Sequence, residues 1–208
     1  MRPRLISVTG TSEVSVAPDE AILTFSIETR DKDLAAAKSE HDSRFKKVMA
    51  LTQEDGIEPK YIQTSNLTME PEYSEEKITK FLGYVLSQTI QITLKDVSKY
   101  EDLMTRLLQA GVNRVNGIEF RVSEPRKFKD EARSKAIQAA REKATSMAAG
   151  LGQTIGKPWD ISEAEEVYVV NSTFGADRSR YAAAPSESTI APGQIKISAS
   201  VKVSFLLE

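Results

Sequence analysis

Cysteine is absent from the 208-residue chain. That excludes disulfides, thiolate metal centres and cysteine nucleophiles, and it leaves the redox compartment open. Histidine occurs once, as His41, which excludes an imidazole-rich metal site or a histidine pair. A Ser-His-Asp triad would have to recruit that one residue, and no GxSxG elbow accompanies it. No apolar run approaches the roughly 20 residues that a membrane-spanning helix requires. The opening MRPRLISVTG lacks the apolar core of a secretory leader and runs straight into a strand pattern. The expectation is a cytoplasmic protein, or an exported one whose leader was removed ahead of Met1. Neither sign of charge dominates: 28 basic residues against 30 acidic ones leave a formal net charge of −2. The chain therefore has no general attraction to nucleic acid or to an anionic membrane. What is present is ordinary globular composition, 40% hydrophobic. A chain of this length can bury a core without a metal or a disulfide.

The first informative stretch is LISVTGTSEVSVAPDEAILTFSIET, Leu5 to Thr29. Its TGTSE could be a phosphate-gripping loop, with Asp19 and Glu20 as an acid/base pair. A phosphate loop needs a helix directly after the glycine turn, because helix N-terminal amides do the binding. Here Ile6, Val8, Gly10, Ser12, Val14 and Val16 alternate, and so do Ala21, Leu23, Phe25, Ile27 and Thr29. That is the period of half-buried strands. Gly10 then marks a bulge or a close backbone approach. Adjacent carboxylates in extended chain point to opposite faces, so Asp19 and Glu20 read as turn residues.

From Asp33 the period becomes helical, through Leu34, Ala37, His41, Phe45, Val48 and Thr52 to a stop at Gly56. YIQTSNLTMEPEY reads as a strand ending near Pro71, and GYVLSQTIQITLK as a cleanly alternating one. Asp96 or Ser98 caps a shorter helix that ends at Gly111, and VNGIEFRVS follows as a strand. The longest helix is expected over about 127–151, with Ala132, Ala136, Ala140, Ala144 and Ala148 on one stripe together with Ile137, Met147 and Leu151. WDISEAEEVYVV reads as an irregular strand, and QIKISASVKVSFLLE closes the chain in strict alternation. Residues 175–193 form a long small-residue segment, an insertion that is either mobile or functional.

The resulting order is β-β-α-β-β-α-β-α-β-β, with two β-α-β-like pieces at 21–70 and 83–123. It predicts a single α+β domain over 1–208, with a largely antiparallel sheet, helices packed on one face, a long C-terminal helix and a terminal strand.

At this level the chain resembles the SIMPL-domain family, the group of periplasmic immunogenic and oxidative-stress defence proteins. The resemblance is carried by ISVTGTSEVSVAPDEA, by YIQTSNLTMEPEY after a glycine-ended helix, and by GYVLSQTIQITLKDVSKYEDLMTRLLQAGVNRVNGIEF. EARSKAIQAAREKATSMAAGLGQTIGK and PGQIKISASVKVSF complete it. It implies an envelope protein, usually exported, with no established enzymatic activity, linked to stress tolerance, in a family of which at least one member looks like a ring or channel-like homo-oligomer; no cofactor is expected. No catalytic residue is carried over.

The candidate sites are correspondingly few. His41 sits on an apolar stripe, where packing is the ordinary role. Glu70, Glu72, Glu75 and Glu76 lack the spacing of a calcium loop. The basic run from Arg126 to Lys143 is interleaved with acids and has no stacking aromatics, which reads as a solvated helix face and not a nucleic-acid surface. The strands near 5–16 and 195–206 are expected at subunit contacts, with Ile6, Val8, Ile195, Ile197, Val201 and Val203 as interface residues. Tyr168, Phe174 and Tyr181 are candidate loop contacts. The alternative function is a monomeric module that captures a peptide, lipid or small ligand through 175–193.

Overall fold

The computed structural model describes residues 3–74, 80–171 and 192–208, with the backbone alone over 164–171. Its strands are β1 (Leu5–Val16), β2 (Glu20–Asp31), β3 (Ile62–Thr64), β4 (Thr68–Tyr73), β5 (Phe81–Leu94), β6 (Arg114–Arg121), β7 (Ile155–Asn171) and β8 (Ile195–Leu207). The helices are α1 (Leu34–Glu54), α2 (Tyr100–Ala110) and α3 (Pro125–Ala149). Every strand pair is antiparallel. The α+β class is as expected, with the strands divided between two sheets. Two compact units result. A terminal unit is built from residues 3–18, 122–171 and 192–208, and a middle unit from 19–121.

The terminal unit has the order β1-β8-β7. Alternation puts Ile195, Ile197, Ala199, Val201, Val203 and Phe205 of β8 into its core beside Val8 and Val14 of β1. The opposite side of β1 shows Ser7, Thr9, Thr11, Glu13 and Ser15 to solvent. Over the apolar side lies α3, whose Ala132, Ala136, Ala140, Ala144 and Ala148 are fully buried. Alanine every fourth residue makes a flat stripe that brings helix and sheet backbones together. Gly10 completes the fit. A Cβ there would overlap the Ala136 carbonyl oxygen and the Ala140 nitrogen, and would come within 2.8 Å of the Ala140 Cβ. Of the two readings of Gly10, close approach is the one observed.

In the middle unit the order is β3-β5-β2-β6, with β4 also on β5. Leu23, Phe25 and Ile27 of β2 and Ile90, Ile92 and Leu94 of β5 pack with Val48 of α1 and Leu103 and Leu107 of α2. Asp33 caps α1, its carboxylate accepting from the Ala36 amide at 3.0 Å. Past the helix end, Gly56 takes a φ of 70°, the left-handed region in which glycine carries no Cβ penalty. Beyond α1 the expected single strand is two, because 65–67 lie between the pairings of β3 and β4 with β5. The Asp96 carboxylate caps a short 3-10 turn, Val97–Lys99, and α2 starts after it without a side-chain cap.

Candidate functional site

The opening question is answered by pairing. TGTSE is mid-strand in β1, bonded to β8 from Leu5↔Leu206 to Val16↔Ile195. The Asp19 amide donates to the Arg121 carbonyl at 3.1 Å, and Glu20 forms an ion pair with Lys95. Neither a phosphate loop nor a carboxylate dyad is formed. Among the described residues no group of three or more His, Asp or Glu side chains could hold a metal. Glu72 lies 3.6 Å from Arg30; Glu75 and Glu76 fall outside the described residues. On α3, Lys135 pairs with Glu131 at 2.7 Å, and Arg133 bridges Asp130 and Glu163, each at 2.9 Å. That is the charge-balanced helix face the sequence suggested.

His41 is 1% exposed on the sheet side of α1. Its ring stacks on Phe45 at 6.2 Å, and neither ring nitrogen has a hydrogen-bond partner among the described residues. Burial pushes its pKa down, with the neighbouring Asp42 acting in the opposite direction. Its titrating neighbours are Asp42 and Lys38 of its own helix, and no nucleophile is recorded against it among the described residues. A proton-transfer site needs such company.

The side chains expected at an interface have partners inside this chain. Val8, Ile195, Ile197, Val201 and Val203 are buried against α3 within the chain, and Ile6 packs on the same core. Their alternation reflects this chain's own core. Moreover, β8 is the central strand, paired with β1 on one side and β7 on the other, so it has no free edge to offer. Removing 195–208 would dismantle the sheet and could not report on assembly. Tyr168 lies on β7 as the register partner of Ser198. Phe174 and Tyr181, and with them most of the 175–193 segment, are outside the described residues.

The edges differ in how they are protected. Natural sheets guard edges with prolines, bulges and short strands. On β7 there are four register shifts and Pro158. On β4 there are one shift and Pro71. Strand β3 has three residues, and the pairing of β6 is broken by a shift. By contrast, β1 pairs with β8 over 12 residues without a shift or an internal proline. Beyond its β8 pairing, Lys143 Nζ reaches the Thr9 carbonyl at 3.4 Å, and no further strand lies on β1 among the described residues.

A second feature lies at the other side of this sheet. Ile161 of β7 is the register partner of Val203, so the two share a face. Val203 is 1% exposed under α3, whereas Ile161 is 56% exposed. The helix covers β1 and β8 and leaves the β7 side open, with Ile137 of α3 and Trp159 exposed too.

Residues 6–205 match the model of the SIMPL family, described as proteins of unknown function (DUF541). The chain belongs to the SIMPL family. One relative is the uncharacterized protein YggE of Edwardsiella ictaluri, 34% identical over 191 residues, covering 91% of this chain and 78% of the relative. YggE of Escherichia coli K12 is 28% identical, covering 98% of this chain and 83% of its own length. The 26 kDa periplasmic immunogenic protein of Brucella melitensis is 27% identical, with 98% and 85% covered. No helix among the described residues is long and apolar enough to cross a membrane.

Proposed function

We propose that this SIMPL chain is a non-enzymatic protein of the cell envelope that self-assembles head to tail, the β1 edge of one copy meeting the β7 side of the next. The observation that carries the reading is the 12-residue β1 edge, which no bulge or proline interrupts and which Lys143 meets only at Thr9. An exposed edge of that length is a template for another strand. Two copies joined β1 to β1 about a two-fold axis would be obstructed. The α3 backbone lies directly over Gly10, and strands about 4.8 Å apart would force together helices that need about 8–10 Å between axes. The β7 side carries no helix over Ile161, and its register shifts and Pro158 leave packing of its face, more than a continuous strand ladder, as the contact. Its α3-facing surface is bare at Ile161, and a neighbour's α3 overhanging β1 would cover it. Contacts between unlike surfaces close into rings or run on as filaments, which agrees with the assembly that the family resemblance implies. Periplasmic residence is proposed from the name of the Brucella relative. The link to stress tolerance rests on the resemblance alone.

Light scattering on a sizing column decides it. A stable multiple of 23.0 kDa is expected, and Ile161→Lys is expected to reduce it to a monomer. Because Ile161 is exposed in the single chain, that change leaves the fold intact. A monomeric wild type would overturn the assembly reading and leave ligand capture through 175–193 as the reading to pursue.

A further inference from the structure

Helix α1 packs on its core through Val48, with Phe45 and Leu51 partly buried beside it. Its fully covered side chains are Ala37, His41, Val48 and Thr52. Three are small, and the largest is an imidazole. Buried polar atoms are nearly always hydrogen-bonded, and exceptions call for a reason. Here both ring nitrogens lack a partner among the described residues. The neighbouring Thr29 hydroxyl is already committed, donating to the Ala37 carbonyl at 3.0 Å. Asp42 Oδ1 is 3.7 Å from Nδ1, beyond hydrogen-bond reach. The other oxygen of that carboxylate accepts from Lys38 Nζ at 2.6 Å.

The surroundings offer a cation nothing more. Facing α1, β2 presents Ala21, Leu23, Phe25, Ile27 and Thr29, and their register partners on β5 are Leu94, Ile92, Ile90, Gln88 and Leu86. From α2 the buried groups are Leu103 and Leu107. None of these titrates. Arg106 of α2 is occupied by Asp55 at the far end of α1. The charges that act on the imidazole are Asp42 and Lys38, on its own helix and opposite in effect. An imidazolium has two N–H donors; Asp42 stands 3.7 Å from one of them, and the other, on Nε2, has no acceptor among the described residues with α1 seated.

We propose that His41 is an acid-sensitive latch: neutral, it seals α1 onto the β2–β5 sheet, and on taking up a proton it releases the helix. Release uncovers Phe25, Ile27 and Ile90 while the strand pairing of the sheet persists. The latch is independent of the assembly reading, since it lies wholly within the middle unit.

Its test uses the full chain without a histidine tag, so that His41 gives the sole imidazole signal in NMR. Amide exchange of α1 is followed from about pH 7.5 to about pH 5, above the ordinary carboxylate range, and corrected for the intrinsic pH dependence of exchange. One linked proton lets the open population rise by at most about tenfold per pH unit. A rise toward that limit is expected in α1, with the amides of β8 unaffected. His41→Gln and His41→Phe should both flatten the profile; the second keeps a ring against Phe45, and the first serves if the second fails to fold. A flat wild-type profile, or a slope that persists in the folded variant, overturns the latch.

Discussion

At the residue scale, two positions concentrate the consequences. Gly10→Ala adds a single methyl group. Lowering the entropy of the unfolded chain would favour it by about 0.4–1 kcal/mol. The overlap with the Ala136 and Ala140 backbone outweighs that, because helix backbone cannot rotate away as a side chain can. A net loss of about 1–3 kcal/mol is expected, seen as a lower urea midpoint. For His41 the sign follows from linkage. Burial lowers its pKa in the folded state, so over part of the acid range the unfolded chain holds a proton that the folded chain does not. Stability is then fully present above the ordinary histidine pKa of about 6.5. It falls with pH below that value until the folded-state group protonates too. Denaturant titrations at several pH values should show this loss in wild type and lack it in His41→Gln. Both residues stood out in the sequence, one as a glycine in an alternating run and the other as the single histidine on an apolar stripe. Their surroundings were not legible there. Nothing local to Gly10 says that a helix more than a hundred residues later rests on it.

At the element scale, local chemistry was readable wherever an element is stabilised by its own neighbours. Asp33 and Gly56 bracket α1 because a cap and a left-handed glycine act within a few residues. Asp33→Ala should cost about 1 kcal/mol, measurable as a lower thermal midpoint and faster exchange in the first turn of α1. Where tertiary pairing decides, the reading was coarser. The division of 62–73 into β3 and β4 comes from how each segment meets β5, and alternation alone does not encode that. The expected interface residues show the same dependence on tertiary partners. Strict alternation in β8 marks one face for burial but does not say by what, and α3 supplies the cover inside the same chain. Only an edge, which requires knowing every strand's partner, identifies where another chain could add.

At the scale of the whole molecule, the decisive pairing is between the first strand and the last. Ser7 and Ser204 share a hydroxyl hydrogen bond of 2.8 Å across 197 residues of chain. No periodicity reveals such a partnership, so an α+β class could be read from the sequence while the division into two sheets could not. The division has an energetic consequence. The two apolar cores have no residue in common, and each is completed by its own helices. Trp159, the single tryptophan, lies on β7 of the terminal unit, so its fluorescence follows that unit. Exchange in α1 follows the other. Gly10→Ala should therefore move the fluorescence midpoint in urea and leave α1 exchange near its wild-type value. Asp33→Ala should do the reverse. Substitutions far apart with no shared partners act independently to within about 0.3–0.5 kcal/mol. Equal displacement of both signals by either variant would mean that the cores unfold as one cooperative body, despite having separate members.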